Sequence, residues 1–207
     1  MIQFPQMPAT QREAEEHLRL FRERYLHCFP CLYIPPDMTS DELREEKPVT
    51  WFTIMMMSCQ TSSLQFAMGA IWQDVISQKI VVEHEKSIDL LQGLVIFLGW
   101  SVSLVQTMPC PATSFVRKAK LTARSQYHKK DKPYLCIFTQ LAISQVYELS
   151  LNKLPGDPSV FSCFKPANFK LPTYKERTME DRRTVLACFY ITSQFVILGP
   201  LDARFLV

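Results

Sequence analysis

The sequence predicts an all-α fold, an irregular domain of several helices, and two observations carry this prediction. Apolar residues recur at helical spacing in one segment after another. No Asn-Gly or Asp-Gly turn joins two alternating segments, as a tight β-hairpin would favour. Apolar residues make up 47% of the 207 residues, enough for one domain with a single hydrophobic core.

Two helix starts are predicted by capping boxes, in which a Thr hydroxyl and a Glu carboxylate satisfy each other's backbone N–H groups. Thr10 with Glu13 opens a helix over about 11–28. Its apolar stripe is formed by Ala14, Leu18, Phe21 and Tyr25. Thr39 with Glu42 marks the second start.

Two further helices are predicted between residues 48 and 82. Pro48 suits the first turn of a helix over 49–60, since its missing N–H is not needed there. Residues 62–82 predict an amphipathic helix. Its expected apolar face consists of Leu64, Phe66, Ala67, Ala70, Ile71, Val75 and Ile76.

The segment 87–100 is apolar on nearly all sides and predicts a central buried helix. A membrane anchor over 88–105 is the alternative, but its uncharged run is shorter than the ~20 residues that span a bilayer. Helical spacing returns at 134–151, and Thr178 with its acidic successors opens a last helix that ends at Leu198.

Five segments of the sequence carry a family resemblance: FPCLYIPP at 29–36, SDELREEKPVTW at 40–51, VVEHEKSIDLLQGLVIFLGW at 81–100, FTQLAISQVYELSLNKLP at 138–155 and RTMEDRRTVLACFYITSQF at 177–195. In this order they resemble the middle homology (regulatory) region of fungal zinc binuclear cluster transcription factors. The resemblance implies an all-helical regulatory domain over 9–199. It also implies control of transcription through effectors or partners, in the nucleus or the cytoplasm.

Two segments depart from the family pattern. Residues 101–125 interrupt it after Trp100, and residues 200–207 drift off it. We expect 101–125 to be an insertion or the translation of an intron that was not removed. On this interpretation the regulatory region is truncated, and a gene product without stable function is a further alternative.

Zinc is expected only in longer relatives. The family's DNA-binding module holds two zinc ions with six closely spaced cysteines, whereas here only Cys28 and Cys31 have a C-x-x-C spacing. These two cysteines follow a predicted helix C-terminus, where a thiolate is disfavoured, so packing is favoured over redox or metal chemistry. We therefore expect no cofactor and no direct DNA binding. The expected partners are other transcription factors or co-regulators, with no membrane contact.

A basic run is the main candidate for a contact site. It consists of Arg117, Lys118, Lys120, Arg124, Lys129, Lys130 and Lys132. Such a run could contact phosphates or serve as a nuclear import signal, and a solvated loop is the simpler interpretation. The charged cluster of Asp41, Glu42, Arg44, Glu45 and Glu46 is either a contact face or merely solvated.

Motifs for catalysis are not found in the sequence. It has no G-x-S-x-G, no phosphate-binding glycine-rich loop and no His pair at zincin spacing, so we expect no enzyme. The cluster of Glu83, His84 and Glu85 is predicted to be a solvated turn. Met55–Met57 is predicted to be core packing, with the wall of an effector cavity as the alternative.

Overall fold

The computed structural model describes residues 10–26, 32–105, 134–152 and 177–198, with the side chains of 101–105, 134 and 194–198 excepted. Within these ranges every regular element is helical, which confirms the all-α prediction. The helices are α1 (Gln11–Leu20), α2 (Ser40–Glu46), α3 (Pro48–Ser58), α4 (Ser62–Ile76), α5 (Ile88–Val105), α6 (Tyr134–Glu148) and α7 (Met179–Leu198). Helix α1 continues as a π-helical turn over Phe21–Tyr25, and α4 continues likewise over Ser77–Val82.

The helix starts lie where the capping residues predict them. Both predicted capping boxes are formed, by Thr10 with Glu13 before α1 and by Thr39 with Glu42 before α2. At α7 the Thr178 hydroxyl accepts from the backbone N–H of Asp181, whose carboxylate accepts from the Thr178 N–H. Each reciprocal pair satisfies two donors that a helix start leaves open.

Helix α5 is the centre of the fold, as its apolar sequence predicts. It packs against α3, α6 and α7, and all its residues from Asp89 to Gly99 are buried. The ring of Phe97 stacks on Trp72 of α4 at 4.3 Å between centroids and meets Phe138 of α6 edge-on at 5.6 Å. In the described part of the chain, no helix is long and apolar enough to span a bilayer.

Helix α3 is buried along its length, from Val49 to Ser58. Met55–Met57 therefore belong to the core, as predicted. The approach of α3 to α5 depends on Gly93. A Cβ atom at this position would lie 2.8 Å from Val49 Cγ1 and 3.2 Å from Thr53 Oγ1, closer than side chains normally pack.

The apolar face predicted for α4 is wrong in its rotation about the helix axis. The buried side is formed by Met68, Gly69, Trp72 and Ile76, whereas Phe66, Ala67 and Ala70 are exposed. Leu64, Ile71 and Val75 are half-buried. The cause lies in Trp72, which is fully buried and donates its indole N–H to Thr53 Oγ1 at 2.8 Å. Burial of this large ring with its hydrogen bond determines which side of α4 faces the core, more strongly than the number of aliphatic residues on each side does.

Candidate interaction surface on the last helix

Helix α7 is held to the domain by its inner side. It packs against α5 and α6 and buries Ala187, Cys188 and Ile191, together with Thr184. Burial raises the pKa of the Cys188 thiol to about 11, because a thiolate would lose its hydration there. This side of α7 is therefore ordinary core.

A polar cluster fixes the first turn of α7. The Glu180 carboxylate forms an ion pair with Lys47, the residue between α2 and α3. The same carboxylate accepts from Gln92 Nε2 of α5 at 2.9 Å. Gln92 Nε2 also lies 3.3 Å from Thr184 Oγ1, one turn along α7. Because Gln92 is almost fully buried, these bonds define both the position and the rotation of α7 on α5.

A second buried carboxylate organises the neighbouring helix start. Asp89 of α5 accepts the backbone N–H groups of Val49 at 2.9 Å and Thr50 at 2.7 Å. These are orphan donors in the first turn of α3, so Asp89 caps that helix from a distant part of the sequence. Burial nevertheless raises the pKa of Asp89, outweighing the two hydrogen bonds and the nearby Lys47, which act to lower it.

The outer side of α7 presents apolar residues to solvent. Met179, Leu186, Phe189 and Tyr190 are 61%, 63%, 69% and 45% exposed, and Arg182 is exposed among them. Spacings of three and four residues place these side chains on one face. We call Met179, Arg182, Leu186, Phe189 and Tyr190 the α7 face. Exposed aromatic and aliphatic side chains gathered on one helix are typical of a surface that binds another protein.

Arg183 borders the α7 face on the side of the connector before α2. Its guanidinium carbon lies 5.1 Å from the centre of the Tyr33 ring. This distance is within the range of a cation–π contact. Arg183 is therefore engaged within the domain, whereas the neighbouring Arg182 extends into solvent.

The predicted contact residues have different outcomes. The basic run from Arg117 to Lys132 lies outside the described residues, as do Cys28 and Cys31. All five charged residues predicted at α2 are exposed, but three of them make contacts within the domain. Asp41 accepts from Gln11, Glu42 caps its own helix, and Arg44 lies over the Trp51 ring.

The cluster of Glu83, His84 and Glu85 is only in part the solvated turn that was predicted: Glu83 and His84 are exposed, whereas Glu85 is half-buried and its carboxylate pairs with Lys79. It follows the π-helical end of α4, and His84 is exposed with a left-handed φ of 52°. Across the described ranges, no three His, Cys, Asp or Glu side chains are grouped so that they could hold a metal ion.

Sequence reasoning missed the α7 face, although a signal for it was present. Residues 185–191 are seven consecutive apolar residues, VLACFYI. They extend over about two helical turns, so they point in every direction around the axis. A helix at the edge of a domain cannot bury all of them, and the surplus is what α7 exposes.

Comparison with known proteins relates the chain to fungal regulators. It is 30% identical over 204 residues to "Transcription factor opdL" of Penicillium oxalicum (strain 114-2 / CGMCC 5302), a match that covers 93% of this chain and 32% of the relative. It is also 33% identical over 98 residues to a protein named "Transcription factor" of Aspergillus terreus (strain NIH 2624 / FGSC A1156), covering 47% of this chain and 16% of the relative. The chain thus spans about a third or less of the length of these relatives.

No protein-family model and no solved structure matches the chain. The two matches nevertheless agree with the resemblance found in the sequence, because both relatives are named transcription factors and the longer match covers most of the chain. The predicted relationship to fungal transcription factors is therefore confirmed, and this chain is a homologue of proteins that are named so.

Proposed function

We propose that the chain is a regulatory domain that controls transcription by binding other proteins and does not itself read DNA. The observation that carries this proposal is the α7 face, whose exposed apolar side chains lie on a helix that the partly buried polar cluster holds in place. The relationship to named transcription factors supports the role in transcription. The partners on this proposal are other transcription factors or co-regulators.

The family resemblance allows regulation by a small-molecule effector or by a partner protein, and the geometry favours the partner protein. A small-molecule site needs a concave, water-excluding wall. Met55–Met57, the candidate wall, are packed in the core with 1–4% of their surface exposed. The α7 face in contrast is already open to a partner.

A tethering experiment tests the proposal. The chain is fused to a well-characterised DNA-binding domain, and reporter transcription is measured in a filamentous fungus against the DNA-binding domain alone. We expect the fusion to change reporter output and Leu186→Glu to abolish the change. Leu186→Glu places a charge at the centre of the contact. Val82→Glu is the matched control, because Val82 is equally exposed (62%) but lies at the end of the π-helical extension of α4.

Two outcomes of this experiment would contradict the proposal. A folded, expressed fusion that leaves reporter transcription unchanged would contradict the proposed regulatory role. A change in reporter transcription that persists in Leu186→Glu but is lost in Val82→Glu would show that the partner contact does not lie on the α7 face. DNA binding is measured separately, as affinity for duplex DNA over a range of salt concentrations, and we expect no phosphate-driven binding by the chain.

A nuclear location is part of the proposal, with the basic run as its candidate signal. We expect a fluorescent fusion of the chain to accumulate in fungal nuclei. Replacing Lys129, Lys130 and Lys132 by Gln should shift it toward the cytoplasm, since import signals of this kind depend on clustered positive charge. Unchanged nuclear accumulation would contradict a role of the basic run as an import signal.

A further inference from the structure

We propose that the α7 face binds a second copy of this chain, as an antiparallel pair of α7 helices centred on Leu186. This inference names a partner for the α7 face, so it rests on the part of the proposed function that makes this face a binding surface. It rests on the order of residues along the face, their exposure and their charge.

The face is complementary to itself when one copy is turned end for end. A two-fold contact requires each surface to match its own reverse. Arg182 lies one turn before Leu186, and Phe189 and Tyr190 lie about one turn after it, roughly 5–6 Å along the axis in either direction. Antiparallel pairing therefore places Arg182 of one copy beside the two rings of the other, and Leu186 against Leu186.

The charges favour this orientation over a parallel pair. The α7 face carries Arg182 and no acidic residue. A parallel pair would bring the two Arg182 side chains together, and like charges facing each other are unfavourable. The antiparallel pair separates them by about 12 Å along the axis and seats each guanidinium on a ring, where a cation–π contact forms.

The available area predicts a weak dimer. With the exposures of Phe189 and Tyr190, two rings of about 150–250 Å² each present roughly 200 Å² of surface per copy. Leu186 and Met179 add a similar amount, so the pair buries at most about 800 Å² in total, below the size of a standard stable interface. We therefore expect a monomer–dimer equilibrium that depends on concentration and no permanent dimer.

Sedimentation analysis of the full chain over a wide range of concentrations tests the first part. We expect reversible dimerisation, and Leu186→Glu should raise the dissociation constant by about tenfold or more, because two carboxylates would meet at the two-fold axis. Val82→Glu should leave the constant unchanged. Circular dichroism checks that each variant is folded, and Arg182→Glu, a change at an exposed residue, replaces Leu186→Glu if the latter is not.

A reciprocal swap tests whether the occupant is a second copy. Phe189→Arg should weaken the dimer, because it brings arginine against Arg182 of the other copy. Adding Arg182→Phe restores a ring opposite a guanidinium and should recover dimerisation. A chain that stays monomeric at every concentration, or a dimer that Leu186→Glu leaves intact, overturns the proposal. A double variant that does not recover overturns it as well. A monomer that still acts in the tethering experiment separates this failure from failure of the proposed function.

Discussion

Replacing Asp89 is expected to weaken the domain more than replacing any exposed capping residue. In Asp89→Ala the backbone N–H groups of Val49 and Thr50 lose their acceptor in the interior. Each buried donor left without a partner costs about 1–3 kcal/mol. Part of this is offset, because the wild-type protein buries a carboxylate whose raised pKa reflects poor hydration. We expect a net loss of about 3 kcal/mol for Ala and about half of that for Asn, which keeps one acceptor oxygen.

Urea unfolding followed by circular dichroism measures these differences. The matched control is Asp181→Ala, which removes a carboxylate that also accepts a backbone N–H at a helix start, but in solvent. Water replaces that acceptor, so we expect a loss of about 0.5–1 kcal/mol. If Asp89→Ala costs no more than Asp181→Ala, then the donors of α3 find other partners and the capping role of Asp89 is refuted.

Three further predictions follow from the core. Gly93→Ala should lower the unfolding free energy by about 1–2 kcal/mol, because the new Cβ meets Val49, and this outweighs the better helix propensity of alanine. In a double-mutant cycle, Val49→Ala should recover part of the loss that Gly93→Ala causes. Alkylation of the folded protein, measured by mass spectrometry, should modify exposed Cys136 and spare Cys188. The Cys188 pKa of about 11, against an ordinary 9.0, implies about a hundredfold less thiolate, and equal alkylation rates would contradict the burial of Cys188. Because the pKa of Asp89 is raised above 3.8, the folded state keeps the Asp89 proton to a higher pH than the unfolded state does. The stability difference between wild type and Asp89→Asn should therefore shrink as the pH rises from about 4 through the folded-state pKa. A difference that grows with pH would contradict the direction of this pKa shift.

Local signals sufficed for the helices of the described part. Capping residues act on backbone donors within three positions, so Thr10, Thr39 and Thr178 mark helix starts that the structure reproduces. The apolar run of α5 was likewise a local signal, because a helix that is apolar on all sides must be surrounded by others. The rotation of α4 was not a local property. It depended on Trp72 reaching Thr53, a partner nineteen residues away.

The candidate surface was harder to predict because it is defined by what the rest of the domain leaves uncovered. The sequence marks residues 185–191 as apolar but does not say which of them face α5. That choice depends on Gln92, which in the sequence only interrupts an apolar run. In the structure it donates to Glu180 of α7. Contacts between residues 88 positions apart have no counterpart in the spacing of a single helix.

The polar cluster and the α7 face are therefore two consequences of one arrangement. An apolar helix laid on an apolar partner can rotate with little loss, because hydrophobic burial is not directional. Hydrogen bonds are directional, and those that Gln92 and Lys47 make to Glu180 hold α7 in one rotation. That rotation leaves Phe189 and Leu186 facing solvent, against the hydrophobic preference of the helix itself. Under the proposed function, these polar contacts keep the α7 face open for a partner protein.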